Sequence, residues 1–273
     1  MELRKAGVHV PFVWHLKEGP QLCMRFGTWP KLMELYELSA GNIITNRRTK
    51  EWYDLFLPTG KPYLILDQEM PKKEYFERPF SPKISASDGE IHTVVIGRMI
   101  GISVEDMRRL AAHRIHVHLY SASYYRQKNT GNNLYGRVAQ GYFHVHAYCP
   151  NEKWVEEFSR YDAGWLHAGH SRNRGDLFRA MWDDLNIPAR VGTLAAAGLP
   201  MILRRNTEHI VASKELSEQY GIGILYDSIT ELATQLHDKD FMDILKRNMQ
   251  EHRMEFTMDA HTPELIRFFQ SLI

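Results

Sequence analysis

The segment from Asn186 to Ile202 combines residue types that favour an anion site. Asn186 suits the cap position before a helix, and Pro188 suits its first turn. A helix that begins there presents free backbone N–H groups and the positive end of its dipole, which together favour phosphate. Arg190 lies in that first turn, where a guanidinium forms paired, charge-assisted bonds with an anion. The segment predicts a phosphate site, with an ordinary surface ion pair of Arg190 as the alternative.

Gly97 and Arg98 directly follow an apolar run from His92 to Ile96 that is typical of a buried strand. Ligands of open parallel sheets bind at the carboxyl ends of the strands. Gly97 would allow a ligand to approach the backbone closely, and Arg98 would neutralise a diphosphate. Two residues are a weak signal by themselves, but their position agrees with the Arg190 site.

A polar, basic loop from Gly169 to Gly175 follows another predicted strand. Loops at strand ends commonly carry binding groups. The loop offers four candidates for binding: His170, Arg172, Asn173 and Arg174. A solvated surface loop is an equally good interpretation.

Two pairs of histidines have the H-x-H spacing, His116 with His118 and His144 with His146. Alternate residues of a strand share a face, so each pair is able to ligate a metal ion. No aspartate or glutamate accompanies either pair at a ligand-like spacing. This favours a structural role, and the sequence therefore predicts no metal site.

The elements that must position these residues alternate between strand-like runs and amphipathic helical stretches. This alternation predicts an α/β fold of two Rossmann-like, doubly wound parallel-sheet domains, the N-terminal one incomplete. From Gln68 to Glu90, prolines and charges replace the periodic apolar residues, as in a linker. The predicted divisions are an N-terminal domain at 1–87, a C-terminal domain at 88–255, and a closing helix at 256–273.

The individual elements follow from the same periodicity. The predicted strands are Val8 to Trp14, Asn42 to Thr45, Pro62 to Asp67, His92 to Ile96, Ile115 to Tyr120, Tyr142 to His146, Ala163 to His167, Pro200 to Leu203 and Gly223 to Leu225. The predicted helices include one capped by Thr28, one capped by Ser103, Arg47 to Phe56, Glu152 to Phe158, Ala189 to Ala196, Thr207 to Ser213, Ile229 to Leu236 and Thr262 to Ile273.

The composition excludes several classes of protein. The chain has 34 basic and 33 acidic side chains and a net charge of +1, which predicts no nucleic-acid partner. Cys23 and Cys149 are too few for a disulfide framework and lack the C-x-x-C spacing. Neither a signal peptide nor a run of about 18 apolar residues is present. We expect a cytoplasmic protein without an integral membrane segment.

Taken in order, several motifs resemble the C-terminal nucleotide-binding domain of GT-B glycosyltransferases of the family 4 type. They are the Gly97-Arg98 pair, IHVHLYS, EEFSRYDAGWLHA, N-x-P-x-R, AAGLPMI, YGIGILYDSITEL and a closing helix. This resemblance spans His92 to Ile273. The earlier segments PFVWHLKEG, LMELYELSAGNIITNRRTKEW and KPYLILD resemble the later βα units of the N-terminal domain, and the closing helix would cross back to it.

The resemblance implies transfer of a sugar from a nucleotide diphosphate-sugar donor to an unknown acceptor, with retention and without a cofactor. Catalysis would depend on stabilising the departing diphosphate. The residues that would bind the diphosphate are Arg98, Arg190, His170 and Arg174. Those that would bind the nucleotide or the sugar are Gly97, Asn173, Asn186 and Thr193.

Two features depart from the family pattern. Members often carry a glutamate pair eight residues apart, and these positions fall here on Leu185 and Thr193. Thr193 retains one hydrogen bond, while Asp183 or Asp184 would substitute after a small shift. In addition, nothing before Val8 supplies the glycine-rich loop that opens a complete enzyme.

These departures leave a rival hypothesis, a non-catalytic binding or scaffold subunit built on a degenerate or split GT-B half. A GT-B-type epimerase is a third possibility, and it would need carboxylates in the cleft. A truncated sheet should expose apolar edges around Val8 to Phe12, so we expect a homodimer or a complementary N-terminal-half partner.

Overall fold

The computed structural model describes residues 6–7, 10–17, 19–67, 69–127 and 134–273. Within these ranges the chain forms a first sheet of three strands, in the order β1-β2-β3, and a second sheet of six, in the order β6-β5-β4-β7-β8-β9. The strands are β1 (Val13–Leu16), β2 (Gly41–Ile44), β3 (Tyr63–Ile65), β4 (Ile91–Ile96), β5 (Ile115–Tyr120), β6 (Phe143–His146), β7 (Ala163–Trp165), β8 (Met201–Arg204) and β9 (Gly223–Tyr226). Neighbouring strands pair in parallel throughout.

Helices connect these strands. The α-helices are α1 (Pro20–Arg25), α2 (Trp29–Leu38), α3 (Arg47–Asp54), α4 (Lys73–Phe76), α5 (Ser85–Asp88), α6 (Val104–Ala112), α7 (Ala122–Gln127), α8 (Leu134–Val138), α9 (Trp154–Phe158), α10 (Trp182–Leu185), α11 (Arg190–Ala196), α12 (Ala212–Gln219), α13 (Ile229–His237), α14 (Lys239–His252) and α15 (Met258–Gln270). Among the described residues, no helix has both the length and the apolar content that a membrane crossing requires.

The strand order of the second sheet is that of a doubly wound Rossmann-like domain. The chain runs outward from β4 to β6, returns to the other side of β4, and runs outward again from β7 to β9. Connections leave β4 and β7 toward opposite sides, so a crevice opens between their carboxyl ends. The predicted α/β fold class with parallel sheets is confirmed, and the first sheet is the smaller one.

Both faces of the second sheet are covered. Val95 belongs to an apolar cluster on one face, and its neighbour Val94 belongs to a cluster on the other. Successive residues of a strand point to opposite faces, so a strand that is buried on both sides needs a continuous apolar run. For this reason the strands in this half of the chain could be predicted from the sequence.

The helix α15 covers the first sheet. Its residues Met258, Leu265 and Phe268 pack with Ile43, Leu64 and Leu66. Gly41 permits the close approach, because a Cβ there would lie 2.9 Å from side-chain atoms of Phe268 and Leu272. The helix predicted at Thr262 to Ile273 therefore packs against the first sheet, although it begins at Met258, four residues earlier than predicted. The division of the chain into domains near Asp88 stays a prediction.

Several predicted elements were misplaced. The first strand is Val13–Leu16 rather than Val8 to Trp14, and residues 8–9 lie outside the described ranges. The helix predicted at Thr207 to Ser213 is wrong, since the helix there is Ala212–Gln219. Asn206 and Glu208 have φ angles of 46° and 62°, a left-handed conformation that a right-handed helix does not contain. Seven of the described helices were not predicted: α1, α4, α5, α7, α8, α10 and α14.

Asn186 is also not a helix N-cap. It ends α10 with extended backbone angles, φ −81° and ψ 138°, and α11 begins only at Arg190. Pro188 explains the delay, because a proline disfavours the helical conformation of the residue before it, here Ile187. The phosphate site predicted at a helix end beginning with Asn186 therefore has a different local structure.

Candidate functional site

A cleft of about 780 Å³ is lined by the carboxyl ends of both sheets. The first sheet contributes the residues that follow its three strands: Lys17, Thr45 and Asp67. The second sheet contributes Gly97 and Arg98 after β4 and His167 after β7. The cleft thus includes the crevice between β4 and β7, where the reversal of strand order favours ligand binding.

Arg190 is a buried cation at this cleft, with only 8% of its surface exposed. Its Nη2 donates to the carbonyl oxygen of Arg98 at 2.8 Å, and its Nη1 donates to that of Trp165 at 3.4 Å. Burial, followed by the charge of Arg98, lowers the pKa of Arg190 to about 10, which still leaves it charged at neutral pH. Among the described residues, no carboxylate lies within ion-pair distance of Arg190, so its charge lacks a counterion from the protein.

His167 adds an imidazole that is close enough to both arginines to feel their charge. Burial, followed by the charges of Arg190 and Arg98, lowers the pKa of His167 to about 4, so the ring is neutral at pH 7. Its Nδ1 is buried and has no hydrogen-bond partner within the described part of the chain. A buried polar atom without a partner costs free energy that a bound ligand is able to recover.

Carboxylates come from the first-sheet side of the cleft. Among the described lining residues, the basic ones are Lys17, Lys72, Arg98 and Arg190, and the acidic ones are Asp67 and Glu69. Lys17 donates to Glu69 at 2.8 Å, and the N–H of Glu69 donates to Asp67 at 3.2 Å. The arginines of the second sheet therefore face the cleft without such partners, and positive charge dominates there.

The sequence missed His167, Asp67 and Glu69. His167 was placed at the end of a predicted strand, Asp67 at the end of another, and Glu69 in the linker. Their positions could have identified them as candidates, because each residue follows an apolar strand, as Gly97 and Arg98 do. Polar residues directly after buried parallel strands are candidates by the same argument.

Five of the predicted site residues line the cleft together: Gly97, Arg98, Asn186, Arg190 and Thr193. Gly97 has a φ of 87°, a left-handed conformation suited to glycine, and a Cβ there would lie 3.8 Å from Nη2 of Arg190. Thr193 is almost fully buried on the helix that carries Arg190. The structure thus brings together two separate segments that the sequence had singled out.

The other predicted residues lie in the loop after β7, and none of His170, Asn173 and Arg174 belongs to the described lining of the cleft. Asn173 is fully buried and holds that loop, since its Nδ2 donates to the carbonyl of Ile210 at 2.7 Å. Its Oδ1 accepts the N–H groups of Gly175 and Ile210, both at 3.0 Å. Asn173 therefore has its amide groups engaged by the protein.

The positions aligned with the family's glutamate pair differ in their placement. Leu185 is fully buried in the apolar cluster of the first sheet, while Thr193 lines the cleft. Asp184 accepts the N–H of Met181 at 2.9 Å, and neither it nor Asp183 belongs to the described lining. A hydroxyl thus stands where the family pattern has its second glutamate.

No family model matches the sequence, and a search of curated proteins finds no match. Among solved structures the chain is similar to TarM, a GT-B glycosyltransferase, with a TM-score of 0.53 and 11% identity. The chain has the GT-B fold. This similarity covers 90% of the chain and 46% of TarM, so the chain spans about half the length of that GT-B protein.

Weaker similarities were found to two further glycosyltransferases. One is UGT2 of Phytolacca americana, solved in complex with UDP-2fluoro-glucose and pterostilbene, with a TM-score of 0.48, 10% identity, and coverage of 91% of this chain and 57% of that one. The other is SnogD from Streptomyces nogalater, with a TM-score of 0.44, 16% identity, and coverage of 97% and 68%. The family 4 type of the GT-B fold stays a prediction.

Proposed function

We propose that this chain binds a nucleotide diphosphate-sugar in the cleft and transfers the sugar to an acceptor. The observation that carries the proposal is the uncompensated charge of Arg190, which lies buried beside Arg98 at the crevice between β4 and β7. Burying a charge without a partner is costly, and a bound anion removes that cost. A diphosphate is the anion that the GT-B fold leads us to expect.

The same groups suit the chemistry of transfer. Negative charge builds on the diphosphate as the glycosidic bond breaks, and groups already aimed at it stabilise the transition state more than the ground state. Arg98 and Arg190 supply that charge stabilisation. His167, neutral at pH 7, supplies a ring nitrogen for hydrogen bonding without adding a positive charge beside the two arginines.

Other parts of the lining suit the remaining pieces of such a donor. The rings of Tyr75 and Trp154 lie 5.8 Å apart and form an aromatic wall on which a nucleobase is able to stack. Asp67 and Glu69, on the first-sheet side, are acceptors for sugar hydroxyls. The donor sugar, the base and the acceptor are left to experiment.

A non-catalytic binding subunit is the second candidate. It is favoured by Thr193, which replaces an acidic residue of the family pattern. Both candidates predict donor binding through Arg190 and Arg98. Only the first predicts release of the sugar from the donor.

Calorimetric titration with a panel of nucleoside diphosphates and their sugars tests the site. Arg98→Gln and Arg190→Gln should each weaken binding by about 10- to 100-fold, since a charge-assisted bond contributes about 1.5–3 kcal/mol. Arg109→Gln is the matched control, because Arg109 is exposed on α6 and pairs with Glu105 at 3.2 Å. Arg98 is exposed, so its variant reports on binding even if Arg190→Gln folds poorly.

Two outcomes would count against the proposal. Absence of binding by every nucleotide, with a folded protein, would remove the donor site altogether. Binding that survives Arg98→Gln and Arg190→Gln would place the site elsewhere. If binding is present, mass spectrometry of the donor after incubation with acceptors separates transfer from the binding-subunit alternative.

The expected partner is also a proposal. Apolar side chains are exposed at the first sheet, with Val10 at 68% and Tyr63 at 50% exposure. Exposed apolar residues near the edges of a small sheet are typical of an interface. Light scattering coupled to size-exclusion chromatography should show a dimer, and a monodisperse monomer would contradict the homodimer.

A further inference from the structure

Five histidines lie side by side on the second sheet. They are His92 on β4, His116 and His118 on β5, and His144 and His146 on β6. We call this set the histidine ladder. Its rings stack across the strands, with centroids 4.2 Å apart for His92 and His116 and 4.4 Å apart for His118 and His144.

Hydrogen bonds link the ladder into two rows. In one row His92 Nδ1 lies 2.9 Å from His118 Nε2, and His118 Nδ1 lies 2.9 Å from His146 Nε2. In the other, His116 Nδ1 lies 3.0 Å from His144 Nε2. The rings therefore form an ordered network rather than a set of independent surface histidines.

Each row ends at a carboxylate. His92 Nε2 lies 2.9 Å from Asp88, and His116 Nε2 lies 2.8 Å from Glu90. Both acids belong to the segment that precedes β4, whereas His116 lies on the next strand. The pairing of β4 with β5 places them together, and for this reason the spacing of the H-x-H pairs gave no sign of an acidic partner.

We propose that Asp88, His92 and His116 bind a divalent transition metal ion of the zinc type. One donor atom from each of the three residues lies within 4.8 Å of the others. Imidazole nitrogen and carboxylate oxygen are donors that zinc prefers. The proposal goes beyond the donor cleft and does not depend on it.

Distances decide how much the residues must move. Zinc bonds of about 2.0–2.1 Å in a tetrahedron separate the ligand atoms by about 3.3 Å. The 2.9 Å contact between His92 and Asp88 needs to open by only a few tenths of an ångström, whereas the parallel rings of His92 and His116 must tilt so that both Nε2 atoms face one ion. The side chain of Asp88 is 43% exposed, so it is free to adjust and leaves a path for an ion from solvent.

The remaining histidines satisfy the outer nitrogens of the ligands. Metal-bound histidines usually donate their second N–H to a fixed acceptor, which sets the ring orientation. His118 stands in that position for His92, and His144 stands there for His116. An ordered outer layer of this kind distinguishes the ladder from a chance cluster of exposed groups.

The ladder is able to change its hydrogen-bond polarity when a metal binds. Without an ion, His92 donates from Nε2 to Asp88, so its Nδ1 accepts the proton of His118 Nε2. With an ion on Nε2, His92 carries its proton on Nδ1 and donates it to His118, which then donates from Nδ1 to His146. Each nitrogen–nitrogen contact of the row therefore holds one proton in both arrangements.

The positive charge of Arg114 weakens the binding of a cation at this site by electrostatic repulsion. Its Nε donates to Glu90 at 2.9 Å, and its side chain is 69% exposed. Removing this positive charge should strengthen metal binding. The site lies at the amino ends of β4 and β5, at the opposite end of the strands from Gly97 and Arg98. The ion would therefore fix the segment before β4 to the sheet and take no part in donor chemistry.

The test is equilibrium dialysis and calorimetry of the full chain with ZnCl2, with MgCl2 as the hard-cation comparison. We expect one zinc ion per chain, and a loss of affinity of at least about tenfold in Asp88→Asn and in His116→Gln. Arg114→Gln should bind zinc more tightly than the wild type. His261→Gln, on α15, is the matched control for a histidine outside the ladder and should bind as the wild type does.

The proposal is overturned if the wild type binds no zinc, or if Asp88→Asn and His116→Gln both keep its affinity. Because Asp88 is exposed, Asp88→Asn should fold even if His116→Gln does not. Nitrogen-15 NMR of the imidazoles is an independent readout. Zinc should move the proton of His118 from Nε2 to Nδ1, and an unchanged tautomer in the zinc-loaded protein would also overturn the assignment.

Discussion

The two ends of the second sheet present opposite chemistry. At the carboxyl end, Arg98, Arg190 and His167 line a cleft, and within the described residues neither arginine pairs with a carboxylate. At the amino end, Asp88 and Glu90 face stacked imidazoles. Strand β4 connects the two ends, because the acidic segment precedes it and Gly97 and Arg98 follow it. In a parallel sheet all strands point the same way. One end therefore carries the segments that lead into the strands, and the other end carries the segments that follow them.

The comparison also shows that residue type alone does not decide the role of a histidine. His167 lies beside two guanidinium groups, which favour its neutral form. His116 lies beside a carboxylate and is hydrogen-bonded to another imidazole. The first environment suits an anionic ligand, and the second suits a cation.

Substituting two glycines, one near each end of the second sheet, should give the largest difference in unfolding free energy. Gly101 and Gly89 have similar φ angles of 79° and 74°, but a Cβ at Gly101 would overlap the backbone of Ala168 and Gly169, whereas Gly89 has open space. Gly101→Ala should cost about 3 kcal/mol or more, because left-handed strain and steric overlap add. Gly89→Ala should cost only about 1 kcal/mol of strain.

Urea denaturation of both variants measures these costs. Gly101 lies in the loop after β4 and packs against the backbone of Ala168 and Gly169, which follow β7. Its variant should therefore also lose nucleotide binding. Equal losses of stability in the two variants would show that the backbone contact at the carboxyl end does not constrain the cleft.

The next largest effect is the pH dependence that His167 gives to the free energy of unfolding. Its pKa is about 4 in the folded chain and 6.5 when unperturbed. Between these values the unfolded chain binds a proton that the folded chain does not, so the unfolding free energy falls as pH falls from 6.5 toward 4. Above pH 6.5 this contribution does not change with pH.

His167→Gln removes that contribution. Denaturant titrations at several pH values should show that the stability of the wild type relative to the variant decreases as pH falls through this window. A difference that stays constant from pH 7 to pH 4 would mean that His167 is not held neutral by its surroundings.

A helix cap provides the smallest effect. Ser103 accepts the N–H of Asp106 at 3.0 Å, and Asp106 accepts the N–H of Ser103 at 3.0 Å, which fixes the start of α6 behind the cleft. Ser103→Ala should cost about 1 kcal/mol. Ser87→Ala, an exposed serine near the amino end, should change stability by no more than about 0.5 kcal/mol. Thermal unfolding of the two variants compares them, and equal shifts would contradict the role of the cap.

Much of the fold could be predicted from local patterns. Ile115–Tyr120 was placed without error, because the apolar residues Ile115, Val117 and Leu119 recur at every second position, which is the period of a strand. The cap at Ser103 was legible because its partner Asp106 lies only three residues away. The helix at Thr207 to Ser213 failed because its conformation depends on a distant side chain, Asn173, which binds Ile210.

The sequence by itself determined the two series of parallel strands and the placement of Arg98 and Arg190 at strand and helix ends. Only the tertiary structure decided which of these ends meet. Arg190 and Arg98 are 92 residues apart in the chain, and Asp88 and His116 belong to different elements. Local periodicity fixes the direction of a side chain along its own strand. The order of the strands in the sheet fixes its neighbours, and the free energy that selects this order comes from burying both faces at once.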